Sequence, residues 1–142
     1  MKISQTFGEQ CKEVLMRHQD VMFGYLFGSQ VKGTNNKKSD IDVAFYLRES
    51  LNEAQTSRLR LKLIDALAQK LRSDKIDTVV LNNVSLVLAF TIIKEGNILM
   101  SRQEDLRIQF EARTMSRFYD QKYYYDRHAR LALAQLAKKG FG

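Results

Sequence analysis

Apolar and polar positions alternate with two different periods along this 142-residue chain. Phe7, Cys11, Val14 and Leu15 recur at helical spacing, which predicts an amphipathic helix over residues 4–19. The stretch VMFGYLF, from Val21 to Phe27, is short, apolar and aromatic and stops at Gly28, as a buried strand does. Residues 31–39, VKGTNNKKS, have the composition of a loop. Ile41, Val43 and Phe45 then alternate with Asp42, Ala44 and Tyr46, so residues 40–47 read as a second strand. Asn52 is suited to cap a helix in which Leu59, Leu63, Leu67 and Leu71 repeat every four residues. The β-branched run at 76–81 predicts a third strand, residues 84–95 a buried helix closed by Gly96, and residues 98–100 a short edge strand. Between Gln103 and Lys139 there is neither Gly nor Pro, which predicts one long helix or two joined by a bend. No repeat, linker or low-complexity segment interrupts this order. It predicts a single α+β domain over residues 1–142, with a core at 1–100 and a helical extension at 101–142.

Composition narrows the setting without naming a function. A hydrophobic fraction of 44% with 27% charge excludes a disordered chain. One cysteine, Cys11, cannot form an internal disulfide or a thiol-rich metal site, which fits a reducing cytoplasm. Its place on the apolar stripe of the first helix suits a small core residue. No stretch approaches the ~20 apolar residues of a membrane span, and the first ten residues are too polar for a signal peptide, so a cytoplasmic protein without a membrane partner is expected. His18 and His128 lack metal-ligand spacing. Lys and Arg total 23 against 16 Asp and Glu, a formal charge of +7. That excess favours an anionic partner or ligand, whether nucleic acid, nucleotide or acidic protein.

The chemistry concentrates in Gly28–Ser29, a gap of ten residues, and Asp40–Ile41–Asp42. A strand that ends in Gly-Ser leaves backbone N–H groups able to hold a phosphate together with the Ser29 hydroxyl, and Gly28 lets the backbone come close. Asp40 and Asp42, two apart on a strand, project from one face, while Ile41 and Val43 point to the other, buried one. Like charges about 5–7 Å apart repel, and a divalent cation relieves that repulsion. Oxygen ligands without His or Cys suit Mg²⁺. Asp77, between Ile76 and Thr78 on the third strand, is placed to face the same side. Three carboxylates on adjacent strands opposite a phosphate-binding turn suffice to hold two metal ions for in-line displacement at phosphorus. Lys32, Lys37 and Lys38 lie in the intervening loop, available either to neutralise phosphate charge or simply to solvate the loop.

Gly-Ser, a ten-residue gap, Asp-X-Asp on a strand and an Asp on a later strand resemble the nucleotidyltransferase fold of the DNA polymerase β superfamily, and the short chain resembles its minimal nucleotidyltransferase (MNT) branch. The resemblance implies a polymerase-β-like fold: a small mixed sheet flanked by helices, with a long C-terminal helix. It also implies a Mg²⁺-dependent transfer of AMP from ATP to a hydroxyl, with release of pyrophosphate. By position, Gly28 and Ser29, with Lys37 and Lys38, would bind the nucleotide, and Asp40, Asp42 and Asp77 would hold two Mg²⁺ ions. Asp77 would also help deprotonate the attacking hydroxyl. MNT proteins pair with HEPN-domain RNase toxins, so the resemblance implies an antitoxin that adds AMP to a tyrosine of its toxin.

Three other functions fit parts of the chain. A small-molecule nucleotidyltransferase of the aminoglycoside type would need an acidic pocket, whereas the segment after Asp77 is basic in balance. An antitoxin acting by steric cover alone would not need its carboxylates. RNA tailing would need an aromatic and basic platform, and none stands out, so nucleic acid is not expected as the direct substrate. Residues 101–142 carry nine Lys/Arg and five Asp/Glu, a net of +4. Their apolar positions, Leu106, Ile108, Phe110, Ala112, Met115, Tyr119 and Tyr123, fall on more than one helix face. The surplus face would meet the toxin; alternatively Tyr119, Tyr123, Tyr124 and Tyr125 would merely cover the sheet.

Overall fold

The structure, a computed structural model, describes residues 3–28 and 40–139. In chain order these form α1 (Ile3–Met16), β1 (Val21–Phe27), β2 (Ile41–Leu47), α2 (Glu53–Leu71), β3 (Ile76–Val80), a 3-10 turn (Leu81–Asn83), α3 (Leu86–Glu95), β4 (Asn97–Ser101) and α4 (Glu104–Lys139). The strands make one mixed sheet in the order β3-β2-β1-β4. β1 runs antiparallel to both β2 and β4, and β2 runs parallel to β3. This is the α+β architecture that the order of elements predicts.

Both faces of the sheet are covered, which explains why β1 is apolar throughout. On one face Ile41, Val43, Phe45 and Leu47 of β2 pack with Cys11, Val14 and Leu15 of α1 and Leu63, Leu67 and Leu71 of α2. On the other, Phe23, Tyr25, Ala44 and Tyr46 pack with Ile92 of α3 and with Leu106 and Phe110 of α4. Phe23 and Tyr46 stack at 4.9 Å, and Phe110 lies 5.5 Å from each ring. Each such aromatic pair adds about 0.5–1.5 kcal/mol beyond area burial. The first half of α4 therefore belongs to the core. Cys11 is fully buried, as its stripe position predicts, and burial pushes its thiol up to about 12.

Several boundaries depart from the sequence expectation for local reasons. α1 ends at Met16 rather than near residue 19, because Arg17 and His18 N–H groups bond back to Val14 and Leu15 carbonyls in a closing turn. Asp40 precedes β2 instead of opening it. Asn52 caps α2 as expected and completes a capping box with Gln55, whose N–H donates to Asn52 Oδ1 at 2.8 Å while Gln55 Oε1 accepts from the Asn52 N–H at 2.9 Å. α3 starts two residues late because the Ser85 side chain accepts from the Leu88 N–H. Gly96 closes α3 as expected; it is extended (φ −82), and a Cβ there would lie 2.5 Å from the Ile92 carbonyl oxygen, so close approach explains the glycine. α4 is one uninterrupted helix of 36 residues, about 54 Å long. Among the described residues, no helix is long and apolar enough to cross a membrane.

Candidate active site

The parallel pairing of β2 with β3 sets Asp42 directly against Asp77, with Ile41 against Ile76 beside them. Neighbouring strands lie about 4.8 Å apart, so the two side chains leave one face of the sheet from backbones at that spacing. Ile41 and Val43 turn the other way and are buried, as the alternation requires. Across the sheet Asp42 also pairs with Phe27, the last residue of β1. Arg60 of α2 fastens the edge strand beside Asp77: its Nε donates to Thr78 Oγ1 at 2.9 Å and its Nη2 to the Thr78 carbonyl at 3.1 Å.

Gly28 follows β1 with φ +83, a conformation L side chains avoid. A Cβ on Gly28 would lie 2.2 Å from Asp42 Oδ2 and 3.2 Å from its Cγ. The turn that ends β1 thus lies against the Asp42 carboxylate: a side chain at position 28 would be strained by the positive φ and would force Asp42 to turn aside. Sequence reading found this glycine for the phosphate; the geometry adds the carboxylate as a second reason.

The electrostatics single out Asp42. Partial burial first, then the charges of Asp77 and Asp40, hold its carboxyl above the usual carboxylate range. A carboxylate raised by like charges is one that a cation would relieve. Asp77 and Asp40 are exposed, so the cluster opens to solvent on one side. Among the described residues, no group of three His, Cys, Asp or Glu side chains is drawn together closely enough to hold a metal ion by itself. The donor chemistry still fits Mg²⁺, which takes one or two carboxylates and completes its shell with water and phosphate oxygens. The other sequence candidates, Ser29, Lys37 and Lys38, as well as Lys32, lie outside the described residues.

One network near the site escaped the sequence reading. The Tyr25 hydroxyl, one alternation behind Phe27 on β1, donates to Glu111 at 2.6 Å, and Arg107 bonds to both Glu111 and Glu104. Burial, followed by the Glu111 carboxylate, pushes the Tyr25 phenol far up, so it stays a donor. The network ties α4 to the sheet behind the carboxylates. The spacing of Glu104, Arg107 and Glu111 was visible as a helix charge pattern, but its link to Tyr25, 86 residues away, was not.

The profile of the polymerase beta nucleotidyltransferase family matches residues 9–105. The protein adenylyltransferase MntA of Shewanella oneidensis is 35% identical over 94 residues, a match spanning 66% of this chain and 63% of that relative's length. Among solved structures, a toxin–antitoxin crystal structure with AMP-PNP superposes with a TM-score of 0.67 at 28% identity, covering 90% of this chain and 98% of that one. A tri-AMPylated Shewanella oneidensis HEPN toxin in complex with an MNT antitoxin gives a TM-score of 0.62 at 25% identity, covering 94% and 99%.

Proposed function

This chain belongs to the polymerase beta nucleotidyltransferase family, and from that premise we propose that it is an antitoxin that transfers AMP from ATP to a tyrosine hydroxyl of a HEPN-domain RNase toxin. The observation that carries the reading is the register of Asp42 on Asp77 beneath the Gly28 turn, in a chain 35% identical to an adenylyltransferase over its matched length. Two Mg²⁺ ions, held by Asp40, Asp42 and Asp77, would supply charge neutralisation at the phosphates. Gly28, Ser29, Lys37 and Lys38 are assigned to the triphosphate. The tyrosine oxygen attacks the α-phosphorus, the bond to the bridging oxygen breaks, and pyrophosphate leaves in line with the attack. The phenolic proton passes to Asp77, which is exposed on the face where the substrate must approach. A bulky anionic adenylate on the toxin would then exclude an RNA phosphate by shape and charge.

The partner-facing assignment extends to the distal half of α4. Residues 119–138 are exposed along their whole length, with Tyr119, Tyr123, Tyr124 and Tyr125 at 54–62% exposure. They do not cover the sheet. Most helical stability in proteins comes from packing of an apolar face, and Tyr with Arg is the composition of interface anchors, which supports docking of the toxin here.

The test is to incubate the chain and its toxin with ATP labelled on the α-phosphate, in Mg²⁺. Label on a toxin tyrosine with loss of RNase activity supports the reading. Neutralisation without label would make the chain a steric antitoxin instead.

A further inference from the structure

We propose that the chain carries a second ligand site, remote from the carboxylates, for a compact aromatic anion such as an aryl phosphate. The site is a cavity of about 240 Å³ where the end of β2, the 3-10 turn, α3 and α4 meet. Tyr46 in its lining lies four residues beyond Asp42 on β2, about 13 Å along the strand. Its body is apolar: Leu81, Val84, Leu86 and Ala89 line it beside the rings of Tyr46 and Phe110.

Three polar features converge on that apolar body. Thr114 lines the cavity, is 6% exposed, and carries a hydroxyl able to donate to or accept from a ligand. Arg113 and Arg117 line the mouth one helical turn apart, and neither is ion-paired among the described residues. Two guanidinium groups at this spacing suit a phosphate or carboxylate. Leu86 opens the ten-residue α3, whose first turn holds no acidic residue. The positive end of that helix adds to the same preference. Glu49, which accepts from the Tyr46 hydroxyl at 2.5 Å, is the carboxylate bonded to the lining. It engages the phenol rather than the arginines, leaving their charge for a ligand. The volume admits a single ring with its charged group.

The test titrates the full chain with phenyl phosphate, inorganic phosphate and phenol, following backbone amide shifts by NMR. The expected result is saturable change centred on Leu86, Ala89 and Thr114, with phenyl phosphate binding about tenfold tighter than either fragment. Arg113→Gln with Arg117→Gln, both exposed and outside the packing, should weaken phenyl phosphate about tenfold and leave phenol unchanged. Thr114→Val, similar in shape, should weaken it as well. The proposal fails if the shifts centre on Gly28 and Asp42, if they spread along the basic helix without saturating, or if the double variant binds as well as the wild type. None of these outcomes depends on AMP transfer.

Discussion

The Gly28 backbone and the Asp42 carboxylate occupy adjoining space so tightly that one methyl group on Gly28 would fall 2.2 Å from Asp42 Oδ2. The turn that would cradle phosphate and the side chain that would hold metal are therefore one mechanical unit. A change at either position is felt at the other.

Gly28→Ala tests this coupling. The substitution combines a positive φ with a carboxylate clash, so it should destabilise the chain by about 1–3 kcal/mol and abolish nucleotide transfer. Adding Asp42→Ala removes the clashing group and should recover part of the stability but none of the activity. A double-mutant cycle by denaturant unfolding measures the recovery. Strictly additive losses would show that the two residues do not touch.

Asp42→Asn should separate stability from chemistry. The folded-state pKa of Asp42 is raised, so the folded chain binds more protons than the unfolded one in the acid range. Without metal, wild-type stability should fall as pH rises from the ordinary carboxylate value toward the raised one, and stay at that lower level near neutrality. Asp42→Asn removes this slope and should stabilise the metal-free protein at neutral pH, while transfer is lost. Thermal melts across pH check both signs. A variant less stable than wild type at neutral pH would contradict the electrostatic reading.

Arg60 would act as a positioning residue for Asp77, through its grip on the neighbouring Thr78. Its two bonds to Thr78 hold an edge strand that pairs with β2 on one side only. Arg60→Ala should cost about 1–2 kcal/mol and raise the Mg²⁺ concentration needed for half-maximal transfer. Arg60→Lys should restore stability better than metal dependence, because an ammonium does not reproduce the forked grip. An unchanged Mg²⁺ requirement in both variants would remove the positioning role.

The distal half of α4 should be dispensable for folding. Leu106 and Phe110 pack in the core and Phe118 stacks on Phe90 at 3.8 Å, so a cut near residue 100 would unfold the domain. Among the described residues, a stop after Lys122 removes exposed ones only and should shift the melting temperature by no more than a few degrees, while toxin binding by calorimetry weakens at least tenfold. Full toxin affinity in the truncated chain would move the interface elsewhere.

Most of the fold and the face on which Asp42 lies were legible in the sequence because their signals are local. Alternation at Ile41, Val43 and Phe45 showed which way Asp42 faces, and Leu63, Leu67 and Leu71 marked the buried stripe of α2. The pairing of Asp42 with Asp77 was readable only as a possibility, since register depends on how two strands 35 residues apart align. Long-range contacts left no local trace: the Arg60 grip on Thr78 and the Tyr25–Glu111 bond join residues that no spacing rule connects. The end of α1 lies earlier than its spacing predicts because it is set by the carbonyls of a closing turn, whereas Gly96 closes α3 as expected, for a close approach to the Ile92 carbonyl that residue type alone does not show.

A crystal structure of the chain with Mg²⁺ and a non-hydrolysable ATP analogue tests the central claim most directly. The account predicts a cation about 2.1 Å from oxygens of Asp42 and Asp77 and of the phosphates, with the triphosphate lying on the Gly28 turn. A nucleotide seated away from that turn, or cations that touch neither carboxylate, would contradict it.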